Sequence, residues 1–137
     1  MQDSSQPKYF DLHTTGIGYL NRVREVKPER AEAFLAVDIS ALHGSADNVE
    51  YTRFDCRVSG KEAQEIIRGL MPAMEADHKV LVGFKIGDLY AETFTYERGE
   101  RQGQTGVSLK ARLLKITWAK VDGEPVTLPS SDQEQAA

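Results

Sequence analysis

Alternating apolar and polar positions run through five stretches of the chain, residues 16–26, 33–42, 49–58, 80–96 and 107–121, with polar or glycine-bearing joints between them. A two-residue period points successive side chains to opposite faces, so each stretch predicts a β-strand with one buried face. The fourth stretch contains Gly83 and Gly87. Glycine inside a strand pattern marks a bulge or a sharp coil, and strands bent in this way tend to close into barrels.

One segment departs from that period. Ala63, Ile66, Ile67, Leu70, Met71 and Met74 fall three and four apart and form a single apolar stripe of a helix. Ser59 and Glu62 ahead of it have the spacing of a capping box. Pro72, which has no N–H to donate to Arg68, predicts a kink or a fresh turn. Three strands, a helix and two strands is the order of the five-stranded oligonucleotide-binding (OB) barrel. In that fold the helix plugs one end, and the face of strands two and three receives the ligand. The predicted fold is therefore an all-β OB barrel over residues 9–128, with residues 1–8 a disordered N-terminal segment and 129–137 a disordered acidic tail. A chain of 137 residues is enough for one such core and no more.

The strand faces carry the candidate chemistry. In the third strand Phe54, Cys56 and Val58 share one face while Tyr51, Arg53, Asp55 and Arg57 share the other. An exposed tyrosine beside arginines suits single-stranded nucleic acid, since the ring stacks on any base and a guanidinium pairs with a phosphate. An ordinary solvated strand face is the alternative. The last strand places Val107, Leu109, Ala111 and Leu113 inward and Ser108, Lys110 and Arg112 outward. The first adds Arg22 and Arg24 on one face, with Asn21 on the other. Tyr90, Glu92, Phe94 and Tyr96 share one side of the fourth strand and run into a charged hairpin holding Arg98 and Arg101. An aromatic ladder leading into a basic hairpin suits a strand of bases; the preferred reading takes Tyr90 and Phe94 as barrel core and leaves Tyr96, nearest the loop, as the binding aromatic.

Charge and composition narrow this picture without deciding it. The net charge of −4 argues against a partner held by bulk attraction, but the segment from Glu124 onward has three acids and no base, which leaves the body near neutral. With 40% hydrophobic and 28% charged residues the composition is globular, no apolar run is long enough for a bilayer, and the polar start predicts a cytoplasmic protein. The single Cys56 can form no internal disulfide and reads as a small buried hydrophobe. His13, His43 and His78 read as structural or solvated residues; Asp11 and His13 share a strand face but lack a third metal ligand. Gly16-Ile17-Gly18 and the glycines of residues 99–106 match no complete phosphate-binding fingerprint and read as turns. No catalytic residue, cofactor or metal is expected.

The order of motifs supports a resemblance. Gly16-Ile17-Gly18-Tyr19-Leu20-Asn21-Arg22, Ala36-Val37-Asp38-Ile39, Glu50-Tyr51-Thr52-Arg53-Phe54 and Ser59-Gly60-Lys61-Glu62-Ala63 follow one another as in bacterial single-stranded DNA-binding proteins, over about residues 14–121. More closely, the chain resembles the replication-associated proteins of bacterial integrating conjugative elements. The closer resemblance implies a role in replication or transfer of a mobile element, and the single-stranded DNA-binding pattern implies that the role is non-catalytic DNA binding. It also implies self-association as a tetramer or dimer, and contact with replication or conjugation proteins. It sets Tyr51 at a stacking position, Arg53 at a basic one and Tyr96 near an aromatic of the long hairpin. The chain departs from the housekeeping proteins at Ser130–Ala137, where their hydrophobic docking tip has no counterpart. An OB adaptor that binds protein and no nucleic acid is the other reading, supported by the near-neutral body.

Overall fold

Every second residue of the second and third strand stretches is sealed from solvent: Leu35, Val37, Ile39 and Ala41 in one, Phe54, Cys56 and Val58 in the other, none more than 8% exposed. The computed structural model describes residues 10–128 and sets these two rows in β2 (Phe34–Ser45) and β3 (Asn48–Val58). Around them stand β1 (His13–Val26), α1 (Lys61–Glu75), β4 (Val80–Thr95), β5 (Thr105–Val121) and a short β6 (Glu124–Val126). The predicted ends, residues 1–8 and 129–137, lie outside the described residues.

The strands are hydrogen-bonded in the order β3-β2-β1-β4-β5-β6, and β5 returns to pair with β3. All neighbours are antiparallel except that last pair, where Phe54–Val58 run parallel to Leu109–Leu113 and close a five-stranded mixed barrel. With one helix between the third and fourth strands, this is an OB-like fold. Register shifts in β4 against β5 flank Gly83 and Gly87, the positions where the sequence predicts coiling. β6, too short to show a period, pairs with Ala119–Val121, and its Val126 packs on the core.

The helix buries Ala63, Ile66, Ile67 and Leu70 against the barrel, the stripe its spacing predicts. Its start differs from expectation. Ser59 N–H donates to the Leu113 carbonyl at 3.0 Å, which ties Ser59 to β5 just past the end of β3. The turn then falls on Gly60, which becomes the N-cap at φ 93°, and no side chain caps the helix. The Ser59–Glu62 capping box is therefore not formed. The helix also runs through Pro72 to Glu75 without a second helix beginning there. Arg68 is exposed, so water can serve the carbonyl that Pro72 leaves without a donor.

Two strands outrun the barrel. β1 pairs with β4 only as far as His13 with Gly87, and β3 meets β5 only from Leu109 onward. From Tyr90 to Thr95 and from Thr105 to Ser108 the fourth and fifth strands pair with each other alone and form a projecting arm. Hydrogen bonds from Tyr96 N–H to the Gln104 carbonyl and from Gly103 N–H to the Tyr96 carbonyl close its tip. The arm corrects two sequence expectations. Tyr90 and Phe94 are 56% and 41% exposed and not core, because the register shift between Gly87 and Tyr90 sets them on the outward face of their partners Lys110 and Gly106; Val107 is 63% exposed and not inward, because it lies beyond Leu109, where β3 stops pairing. No helix among the described residues is long and apolar enough to cross a membrane.

Candidate nucleic-acid interface

Asp38 alternates with the core residues Val37 and Ile39 and so faces outward, yet it is only 1% exposed, because cations cover it. A β-bulge between Asn21 and Arg24 brings two of them in. Arg22 occupies the left-handed region at φ 52°, a conformation costing roughly 1–2 kcal/mol for a residue with a Cβ. Its Nε donates to Asp38 Oδ2 at 2.9 Å, while Arg24 Nη1 donates to Asp38 Oδ1 at 3.0 Å. The bulge also corrects the predicted alternation of β1. Val23 packs on the core, and Asn21, expected on the face opposite Arg22 and Arg24, joins their side and donates from Nδ2 to Ser40 Oγ at 3.2 Å.

The network continues across β3 to β5. Arg24 Nη2 donates to Asp55 Oδ1 at 2.6 Å, and Lys110 Nζ to Asp55 Oδ2 at 2.8 Å. Lys110 also stands 3.6 Å from Glu92 Oε1, on the arm. Burial alone would raise the Asp55 carboxyl, but hydrogen bonds from Lys110 and Arg24 outweigh it and hold the group below the ordinary carboxylate value. Donating to Asp38 and to Asp55 raises Arg22 and Lys110 respectively. Arg53 is the loosely held cation, 3.9 Å from Asp38 with its side chain 71% exposed.

Above this charged floor lies a groove of about 680 Å³ between the β1–β2–β3 face and the arm. Tyr51, 58% exposed, stands on one wall, and Phe94 and Tyr96 stand on the other. Gly106, across from Phe94, lets these two rings pack over the arm backbone: a Cβ there would lie 2.6 Å from Phe94 and 2.8 Å from Tyr96. The rings meet edge to face at 4.9 Å, and Arg101 holds Tyr96 by a bond from Nη1 to the phenol oxygen at 3.1 Å and by its guanidinium 5.5 Å from the ring centre. A second groove of about 700 Å³ includes Tyr19, Asn21 and Lys79 and adjoins the first at Arg22 and Tyr51, which line both.

Of the ten residues predicted from sequence, Arg22, Tyr51, Arg53, Tyr96 and Lys110 line the first groove. Arg24 lies in its charged floor, and Arg101 supports a lining ring. Arg57 and Arg112 are register partners farther along the β3–β5 seam, where Arg57 stacks on Phe34 at 4.3 Å and Arg112 pairs with Asp88 at 3.1 Å. Arg98 is exposed in the tip of the arm. Asp38 is absent from the predicted site; Asp55 and Glu92 are placed by the sequence beside Tyr51 and Tyr96 but not as acids that pair the groove's cations, and Phe94 is read as core. A signal for Asp38 was present, a carboxylate in the otherwise apolar run Ala36-Val37-Asp38-Ile39.

Other chemistry-bearing groups are engaged elsewhere. His43 Nε2 shares a hydrogen bond with Thr52 Oγ1 at 3.0 Å, and His78 Nδ1 pairs with Asp122 at 2.5 Å. A backbone N–H from Lys79, then His78, lowers the Asp122 carboxyl. Burial, with Asp55 and Asp38 nearby, pushes the Cys56 thiol up to about 12. Among the described residues no group of three His, Cys, Asp or Glu side chains could hold a metal ion. Residues 3–135 match the model of a family described as a protein of unknown function, DUF3577. The chain belongs to the DUF3577 family. No curated protein and no solved structure matches it. What a DUF3577 barrel does must therefore be argued from the groove itself.

Proposed function

We propose that this barrel is a non-catalytic single-stranded DNA-binding protein whose strand lies in the groove between the β1–β2–β3 face and the β4–β5 arm. The observation that carries the reading is the set of exposed rings, Tyr51, Phe94 and Tyr96, around one open groove with Arg53 free to turn toward a phosphate. Stacking on such rings accepts any base and needs an unpaired one. A role in replication or transfer of an integrating conjugative element, in the cytoplasm and beside replication or conjugation proteins, rests on the resemblance of the motif order. Self-association as a dimer or tetramer is part of the proposal, supported by the two outer edges of the arm, which pair with no other described strand and so offer backbone groups to a second copy.

Fluorescence anisotropy with single-stranded and duplex oligonucleotides tests the reading. The single strand binds more tightly, and its affinity falls with salt as phosphate counterions are restored. Tyr51→Ala costs about 1–3 kcal/mol of affinity with little change in salt slope, as expected for a lost stacking platform. Arg53→Ala instead lowers the slope by about 0.7, the share of one phosphate on a single strand. One observation favours the adaptor reading: Asp38, Asp55 and Glu92 already neutralise most of the groove's cations. A protein that binds no oligonucleotide at low salt is the adaptor, and one whose Tyr51→Ala and Arg53→Ala variants bind like wild type holds its strand outside this groove.

A further inference from the structure

The cations of the groove are paired, but those of another face are not. In β4 the buried Val82, Phe84 and Ile86 alternate with Leu81, Gly83 and Lys85, which point away from the core. Lys85 stands directly opposite Lys115 on β5, and Thr15 of β1 is its neighbour on the other side. Like charges facing each other across antiparallel strands destabilise the sheet. No carboxylate among the described residues forms an ion pair with Lys85, Lys115 or Lys120. Trp118, the only tryptophan of the chain, lies on this face. Its indole covers Gly83 so closely that a Cβ there would stand 2.4 Å from Nε1, and Lys120 Nζ lies 5.8 Å from its ring centre.

Strand register connects this face to the grooves already described. Tyr19, which lines the second groove, pairs with Leu81, and Leu81 pairs with Lys120. The next rows along the same three strands are Ile17, Gly83 and Trp118, then Thr15, Lys85 and Lys115. A strand leaving the second groove past Tyr19 therefore meets a lysine, an indole and then a facing lysine pair, with no carboxylate ion-paired to any of these lysines.

We propose that the outer face of β1, β4 and β5 is a second anion-binding stripe, in which Lys85 and Lys115 share a phosphate of the same single strand and Lys120 with Trp118 guides it there from the groove. The inference rests on the reading of the groove as a single-strand site. It adds that the strand's path continues past the groove and that the lysine pair, unfavourable when empty, is relieved by a bridging anion.

The test compares a thymidine oligonucleotide of about 8 nucleotides, within the range a single OB barrel holds, with one of about three times that length. Wild type binds the longer strand with higher affinity and a steeper salt dependence. Lys85→Gln combined with Lys115→Gln leaves the short strand's affinity unchanged and lowers the long strand's salt slope by about 0.7, the share of the one phosphate the two lysines hold. Lys115→Glu, which puts an acid opposite Lys85, raises the thermal midpoint of the free protein and removes the long strand's advantage. Binding of both strands with no effect of either variant on the longer one overturns the stripe while leaving the groove intact. Failure of wild type to bind the short strand overturns the groove reading, and the stripe as its extension falls with it. A fall in thermal midpoint for Lys115→Glu shows that the facing lysines are not in conflict and removes the reason for a bridging phosphate.

Discussion

Phe54→Ala lowers the free energy of unfolding by about 3–5 kcal/mol, a large part of what holds a domain of this size. Phe54 is 8% exposed, meets Phe84 edge to face at 6.5 Å, and sits at the first residue pair of the parallel seam, opposite Leu109. Removing the ring leaves a cavity where β3 and β5 join, and the rigid strands on either side cannot collapse into it. Urea unfolding followed by circular dichroism measures the loss. Tyr51 lies on the other side of the same strand, so Tyr51→Ala leaves the unfolding midpoint within about 0.5 kcal/mol of wild type. A folded Phe54→Ala protein that loses DNA, beside an unfolded Tyr51→Ala, would reverse the two faces of β3 and with them the candidate groove.

Arg24→Met is expected to cost about 3 kcal/mol, the low end for breaking a buried ion pair because Arg24 is itself 23% exposed. The guanidinium bridges Asp38 and Asp55, and without it Asp38 keeps one close cation, Arg22, at an almost fully buried site. The loss depends on pH in a defined direction. Asp55 titrates below its ordinary value in the folded protein, so its contribution is complete above the unfolded value, about 3.9 for an aspartate, and is lost as pH falls through the lower folded one. The gap between wild type and Arg24→Met therefore narrows at about pH 3 and is full at about pH 7. Urea midpoints at those two values decide it. A gap of the same size at both would mean that Arg24 contributes by packing alone.

The barrel and its helix were legible because their signals are local. Alternation from Phe34 to Ala41 and from Phe54 to Val58, and the stripe from Ala63 to Leu70, each reflect one buried face against one core. The arm was not legible. Tyr90, Phe94 and Val107 continue the alternation of strands that are core farther along, and only the register shift after Gly87, which turns Tyr90 and Phe94 outward, and the end of β3 pairing at Leu109 show that they are not core. Single arginines were identified as cations, but their state depends on residues far away in the chain. Asp38 takes Arg22 and Arg24 from β1, and Asp55 takes Lys110 from β5, so a row of bases in the sequence is a neutralised network in the fold. Lys85 and Lys115, which form no ion pair with an acid among the described residues, carry no mark in the sequence, since their opposition exists only once β4 and β5 are in register.

The parallel seam between β3 and β5 also sets how fast the molecule forms. Hairpins β1–β2, β2–β3 and β4–β5 join neighbours in the chain, but Phe54 and Leu109, like the partners of β1 and β4, meet across a long stretch of chain that includes the helix. Loop-closure entropy must be overcome before that contact stabilises anything, so the barrel belongs with slow, topology-limited folders, on a timescale of roughly milliseconds to seconds. Until closure the facing edges of β3 and β5 are open strands, which makes the unclosed sheet the species most prone to pair with a second chain. Amides of Phe54–Val58 and Leu109–Leu113 should accordingly exchange together in one cooperative opening of the seam.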